Sequence, residues 1–122
     1  MNIPAKNISI IIDIATRGDV SRKGTFHRLG KEYLREVARL MLLREGTYDI
    51  RVNKGGPAVL GEVILHSDTL YVCLGGSIPS DKFYYRTCQG RRDFTGGANN
   101  WMLYTALREP FRAVMAFERA RP

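Results

Sequence analysis

The fold is decided by residues 48–74, which read Tyr48-Asp-Ile-Arg-Val-Asn-Lys-Gly-Gly-Pro-Ala-Val-Leu-Gly-Glu-Val-Ile-Leu-His-Ser-Asp-Thr-Leu-Tyr-Val-Cys-Leu74. In the first six residues apolar side chains alternate with polar ones, which is typical of a strand with one buried face. The stretch Asn53-Lys-Gly-Gly-Pro57 has the residues that favour a tight turn. Two further apolar runs follow at 58–66 and 69–74, separated by a short polar turn. The sequence therefore predicts an antiparallel β-meander.

The segments before this meander predict one strand and one helix. Isoleucine recurs at every second position within residues 7–15, and this β-branched composition favours a strand. Residues 16–28 are polar, basic and glycine-containing, which predicts a loop. Apolar residues recur at helical spacing in residues 29–44, and Gly46 is a suitable C-cap for that helix.

The segments after the meander predict a fourth strand at 82–88, a loop at 89–100 and helix at 100–118. Pro110 is expected to kink this last helix or to begin a second one. The expected fold is α+β, a single domain over residues 1–122. An antiparallel meander of four to five strands would pack with two main helices, in the order β-α-β-β-β-β-α.

The charge of the chain points to a polyanionic partner. The 122 residues carry a net charge of +7, and arginine outnumbers lysine by 14 to 5. Residues 17–44 and 82–122 each have a net charge of +5, whereas residues 45–81 have −3. A basic face on one side of a domain is the electrostatic pattern of a nucleic-acid binder, and it can also steer a protein onto an acidic partner.

Several functional classes find no support in the sequence. No apolar run approaches the roughly 18 residues of a membrane span, and no signal peptide is recognised, so we expect a cytoplasmic protein without a membrane. Cys73, Cys88, His27 and His66 lack metal-ligand spacing, so no metal or other cofactor is expected. No nucleophile motif is present, and nothing places the two histidines together, so an enzyme is the less favoured interpretation.

The loop at 89–100 is the first candidate site. Arg91 and Arg92 could grip a phosphate, and Gly96 and Gly97 could turn successive N–H groups towards it by adopting positive φ. Asn99 or its neighbour could cap the helix expected to follow, whose N-terminus would attract an anion. The alternative is a connection whose glycines only serve the turn.

The helix at 29–44 offers the second candidate site. Lys31, Arg35 and Arg39 are spaced by four, so they would form one exposed stripe, near Arg22 and Lys23 of the preceding loop. The alternative is a solvated helix face on which neighbouring glutamates pair with these cations.

The aromatic residues supply the third candidate. Tyr84 alternates with its neighbours in the predicted strand and lies beside Arg86, so both would face away from the core. An exposed ring next to arginine can stack an unpaired base, and Phe94 or Trp101 could contribute, although a core position is favoured for Trp101. Five other aromatic residues are expected in the core: Phe83, Tyr85, Trp101, Phe111 and Phe117.

These candidates lead to two hypotheses. The first is a non-enzymatic protein that binds DNA or RNA, contacting the phosphate backbone through an arginine-rich face. The second is a small accessory or inhibitor protein, of the kind found in phages and mobile elements, that docks its basic face on an acidic protein. Homodimerisation through a sheet edge is left open. The first hypothesis assigns contacts to Arg22, Lys23, Lys31, Arg35, Arg39, Tyr84, Arg86, Arg91, Arg92, Phe94, Gly96, Gly97 and Asn99.

Overall fold

The computed structural model describes residues 3–76 and 79–120. Its helices and strands are α1 (Ala5–Arg17), α2 (Lys23–Leu40), β1 (Tyr48–Asn53), β2 (Gly61–Ser67), β3 (Leu70–Gly76), β4 (Lys82–Thr87), β5 (Asn100–Leu103) and α3 (Pro110–Ala120). Two short 3₁₀ turns, Val20–Arg22 and Tyr104–Arg108, precede α2 and α3.

The five strands form one antiparallel sheet in the order β1-β2-β3-β4-β5. The α+β class and the antiparallel meander are therefore confirmed. The predicted order β-α-β-β-β-β-α differs from the structure at both ends of the chain, where a predicted strand is a helix and part of a predicted helix is a strand.

The isoleucine-rich segment predicted as a strand at 7–15 is helix α1. Ile8, Ile11, Ile12 and Ala15 are all buried, and their spacing of three and four residues is the helical period. Burial of this face outweighs the weak β-preference of isoleucine. The helix ends at Gly18, which has the left-handed conformation with φ 61° and donates its N–H to Ala15.

The predicted helix at 29–44 is real, but its bounds are wrong. α2 begins six residues earlier, at Lys23, so the predicted loop at 16–28 includes the first turns of this helix. It ends at Leu40, and the first left-handed residue after it is Leu42 with φ 58°. Gly46 also has positive φ, at 86°, but it lies too far beyond the helix to be its C-cap.

The predicted helix over 100–118 is also only partly correct. Its first four residues form the edge strand β5, and α3 begins at Pro110, which is one of the two outcomes expected for that proline. Trp101 and Phe111 are exposed rather than buried. Trp101 lies in a strand instead of a helix, and Phe111 lies on the exposed side of the shorter helix α3. Phe83 and Phe117 lie in the core, as predicted.

The helices cover only one face of the sheet. α2 packs on β1 and β2, α3 packs on β4, and α1 packs on α2. Gly30 allows α2 to approach β2 closely, since a Cβ there would lie 3.1 Å from Cγ2 of Val63. We call the covered side the helical face and the other side the open face. The buried residues of the sheet that point to the helical face include Val63, Leu65, Val72, Leu74 and Phe83.

Candidate nucleic-acid interface

The open face presents two rows of side chains that run across the strands. Strand alternation and the pairing register place opposite residues of neighbouring strands on the same face. One row consists of Arg51, Ile64, Cys73, Tyr84 and Trp101, and the next consists of Asp49, His66, Tyr71 and Arg86. Sequence reasoning identified only Tyr84 and Arg86 of these as site residues.

Arg86 lies at the centre of this face, stacked between aromatic rings. Its guanidinium carbon is 4.1 Å from the ring centre of Tyr71 and 5.6 Å from that of Tyr84. The residue is only 7% exposed, and its Nε has no hydrogen-bond partner. Its Nη2 donates to the carbonyl of Phe94. Arg86 therefore faces away from the helices as predicted, but most of its surface is used inside the protein.

Tyr84 and Trp101 continue the stack to the edge of the sheet. Their ring centres are 5.5 Å apart, and the Tyr84 ring lies nearly parallel to that of Tyr71. Trp101 is 59% exposed and Tyr84 is half-buried. Burial raises the pKa of the Tyr84 phenol, so this ring stays neutral. We call Tyr71, Tyr84, Trp101 and Phe94 the aromatic platform.

His66 is held in one tautomer beneath Phe94. Its Nδ1 is 3.3 Å from two nitrogens of Arg51, and because a guanidinium can only donate, Nδ1 accepts. The proton is therefore on Nε2, which donates to the Gly90 carbonyl at 2.9 Å. Burial, followed by the Arg51 charge, lowers the pKa of His66 and keeps the ring neutral. His27 bonds the Leu60 carbonyl on the helical side, so the two histidines form no acid–base pair.

The loop between β4 and β5 binds its own carboxylate in place of an external anion. Asp93 accepts hydrogen bonds from the N–H groups of Gln89, Thr95 and Gly96 at 2.8–3.1 Å. These bonds, that from Gln89 first, lower the pKa of Asp93. The N–H of Gly97 donates to the Thr87 carbonyl at 3.0 Å.

Three predicted features of this loop are therefore wrong. Neither Gly96 nor Gly97 has positive φ; each is a glycine because a Cβ would lie within 3 Å of an oxygen of Thr87. Asn99 caps no helix, because strand β5 follows it. The alternative, in which the glycines serve the turn, describes this part of the loop better.

The exposed part of the loop lies over the open face. Phe94 is 57% exposed, and its ring is 5.5 Å from the His66 ring, with Arg51 5.3 Å from its centre. Arg91 is 3.5–3.7 Å from carboxylate oxygens of Asp49 and Asp68. Arg92 is exposed and forms no ion pair among the described residues.

The cations of α2 do not join this loop. Phe94 contacts the open face, whereas α2 packs on the helical face, so Lys31, Arg35 and Arg39 lie on the other side of the sheet. Arg39 pairs with Glu36, in agreement with the alternative in which this helix face is solvated and its cations pair with neighbouring glutamates. The predicted basic residues therefore do not form one continuous face.

Two cations near the start of α2 have structural contacts. Arg22 binds carboxylate oxygens of Asp13 at 2.6 Å and Asp19 at 2.7 Å. Lys23 donates from Nζ to the carbonyls of three residues at 3.0 Å each, namely Lys54, Gly56 and Val59. Both side chains fix loops to the helix rather than pointing freely into solvent.

Within residues 3–76 and 79–120, no cluster of histidine, cysteine or carboxylate side chains could hold a metal ion. No helix in these ranges combines the length and apolar character needed to cross a bilayer. The buried Cys73 thiol donates to Glu62 at 3.2 Å, and burial raises its pKa. Comparison with family models, curated proteins and solved structures gives no match to this chain.

Proposed function

We propose that this protein binds single-stranded nucleic acid, without catalysis, through the open face of its sheet. The observation that carries the proposal is the aromatic platform, in which Trp101 and Phe94 expose more than half of their surface on a face that no helix covers. Aromatic rings on a sheet surface stack unpaired bases, at about 1–3 kcal/mol per base. A duplex hides its base faces, so such a surface favours a single strand.

Cations around the platform can contact the phosphates of a strand lying on it. Arg92 is exposed on the loop, Arg51 is half-buried beside Phe94, and Lys82 is exposed on the open face of β4. The net charge of +7 adds a long-range attraction for a polyanion. DNA and RNA share both features, so one site serves either.

The test is titration of the protein with fluorescently labelled oligo(dT) and oligo(U), followed by anisotropy. We expect binding of at least one strand and a steep loss of affinity between about 50 mM and about 200 mM salt. Trp101 is the only tryptophan, so stacking on it should quench the protein's emission. A labelled duplex of the same sequence should bind more weakly. Absence of binding to both single strands at the lower salt concentration would contradict the proposal.

Two matched pairs of variants locate the site. Phe94→Ala removes an exposed ring from the open face, and Phe111→Ala removes one that is 72% exposed on α3. Arg92→Gln and Arg35→Gln each remove one exposed charge, on the open and helical sides respectively. We expect the open-face variants to weaken binding about fivefold or more and the helical-side variants to have little effect. Equal effects within each pair would place the contacts elsewhere.

A groove on the helical side favours the second hypothesis, a protein partner. It has a volume of about 350 Å³ and lies among α1, α2 and α3, with Leu40 and Phe111 as apolar residues of its lining. Arg108 is a cation of the same lining, and Arg39 there is paired with Glu36. An acidic amphipathic segment fits this combination. Affinity for a defined acidic helical peptide that Phe111→Ala abolishes and Phe94→Ala leaves intact would support it.

A further inference from the structure

β5 is an edge strand, and within residues 3–76 and 79–120 no hydrogen bond is formed by the backbone groups on its outer side. The pairing with β4 is continuous, and the N–H of Tyr104 donates to the Asp81 carbonyl at 2.9 Å. Hydrogen-bonding groups of successive residues in a strand point to alternate sides. Asn100 and Met102 therefore face β4. The N–H and C=O of Trp101 and the N–H of Leu103 point away from the sheet.

This edge lacks the charged side chains and proline that commonly protect against strand pairing, although β5 is short. Proteins commonly protect a sheet edge with charged side chains or proline. The other edge, β1, carries Asp49 and Arg51. By contrast, residues 94–107 contain no charged residue at all, although 25% of the chain is charged. The exposed side chains of β5 are apolar instead, with Trp101 59% and Leu103 48% accessible.

We infer that β5 pairs antiparallel with β5 of a second copy of this chain, giving a continuous ten-stranded sheet. A twofold axis at Trp101 would let the two copies of this residue exchange both of their outward backbone hydrogen bonds. The N–H of Leu103 would then reach the Asn99 carbonyl of the second copy.

The charge distribution favours a second copy at this edge. Two chains of net charge +7 repel each other over most of their surface, so they approach with least repulsion along a strand that itself carries no charge. The exposed Lys82 lies one strand further in, opposite Leu103. The same pairing covers the outer side of Trp101 and of Leu103, which are the exposed apolar side chains of the edge, and leaves the surface of Trp101 on the open face accessible. It also brings the two open faces into one surface, with an aromatic platform on each side of the axis.

The contact is small. β5 has four residues, so the pairing buries less than the roughly 1,200 Å² of a standard stable interface. We therefore expect a weak, reversible dimer. Its assay must therefore cover a wide range of protein concentration.

Leu103→Pro tests the pairing without disturbing β5. Leu103 has φ −63°, the value that proline adopts. Because its N–H points away from β4, the substitution removes no hydrogen bond of the sheet. Leu103→Ala is the matched control, since it also shortens the side chain but keeps the N–H.

Sedimentation equilibrium from about 1 µM to about 500 µM measures the dimer without nucleic acid, so its outcome is independent of the proposed binding function. We expect the mass of the wild type to rise from 13.8 kDa towards twice that value, with a blue shift of Trp101 emission over the same range. Leu103→Ala should weaken the dimer, and Leu103→Pro should remain monomeric with an unchanged thermal transition at low concentration. Any of three results would overturn the inference. The wild type could stay monomeric at all concentrations, its mass could increase without a shift of Trp101 emission, or the two variants could associate equally. The Trp101 measurement needs no variant, so it decides the matter even if a variant fails to fold.

Discussion

Replacement of Arg86 tests whether the centre of the open face is held by stacking or by charge. This guanidinium is buried with no carboxylate paired to it among the described residues. It lies 4.1 Å from the Tyr71 ring centre and donates to the Phe94 carbonyl. We expect Arg86→Lys, the conservative change, to cost more stability than Arg86→Met.

The magnitudes follow from the contacts. Arg86→Met loses a desolvated cation–π contact worth about 1–2 kcal/mol and a charged hydrogen bond worth about 1.5–3 kcal/mol. Arg86→Lys keeps a cation near the Tyr71 ring but loses the planar stacking and the fork of donors that only a guanidinium provides. Arg86→Met regains about 1–3 kcal/mol, because it no longer buries the unpaired Nε. Its net cost is then about 1–2 kcal/mol. Arg86→Lys also replaces Nε with a methylene group, but its ammonium group carries three N–H donors and is still buried with one carbonyl to bond, so we expect a cost of about 3 kcal/mol or more.

Urea unfolding at neutral pH, monitored by far-ultraviolet circular dichroism, measures both costs on the same scale. Amide hydrogen exchange adds a local readout: loss of the bond to Phe94 should lower protection at Gly96 and Gly97 in both variants more than in β2. If Arg86→Lys is as stable as the wild type, or more stable than Arg86→Met, the positive charge rather than the stacked guanidinium stabilises this position. That result would contradict the prediction.

Three further predictions concern stability. Leu42→Gly should raise the free energy of unfolding by about 0.5–1 kcal/mol in thermal unfolding. The reason is that Leu42 is 86% exposed and has a left-handed φ of 58°. An unchanged free energy of unfolding would mean that this turn is not strained. Tyr33→Phe should cost about 1–2 kcal/mol in urea unfolding, because it leaves the Leu107 carbonyl without the hydroxyl that now bonds it at 2.8 Å. The lowered pKa of His66 should reduce stability as pH falls below about 6.5, since the unfolded chain then binds a proton that the folded chain rejects, whereas above that pH the effect vanishes. The fall between about pH 7 and about pH 5 should be smaller in His66→Gln, and an identical fall would assign it to other groups.

The central meander was predictable because two independent signals agree there. Alternation marks each strand, and turn-forming residues separate them, so local preference and burial point to the same structure. In residues 7–15 they conflict. Isoleucine favours strands, yet Ile11 breaks the alternation and falls with Ile8 and Ile12 on one helical face. Arg17 and Gly18, which follow this segment, are typical of the C-terminal end of a helix, so they indicate that the segment is helix α1 rather than a strand.

The error at residues 100–108 has a different cause. Apolar residues are dense there, so helical spacing can be found without a helix, and no capping residue is used at Asn99 or Asn100. The position of Trp101 depends on pairing with Tyr84, which is a long-range contact that the local pattern does not contain. The site residues missed for the same reason are Arg51, His66, Tyr71 and Trp101, although strand alternation already places the first three on one side of their strands.

The proposed site rests on exposed aromatic surface rather than on net charge, because many of the cations have partners within the protein. Arg22 is surrounded by Asp13 and Asp19, and Arg39 by Glu36, all within nine residues along the chain. Such local pairs stabilise helix ends and turns but leave little charge for a ligand. An exposed ring has no comparable local use, because leaving it in water costs free energy. The exposed rings that most need a partner are therefore Phe111, Trp101 and Phe94. Phe111 lines the groove on the helical side, whereas Trp101 and Phe94 could meet a base on the open face and Trp101 could also meet a second copy at the edge.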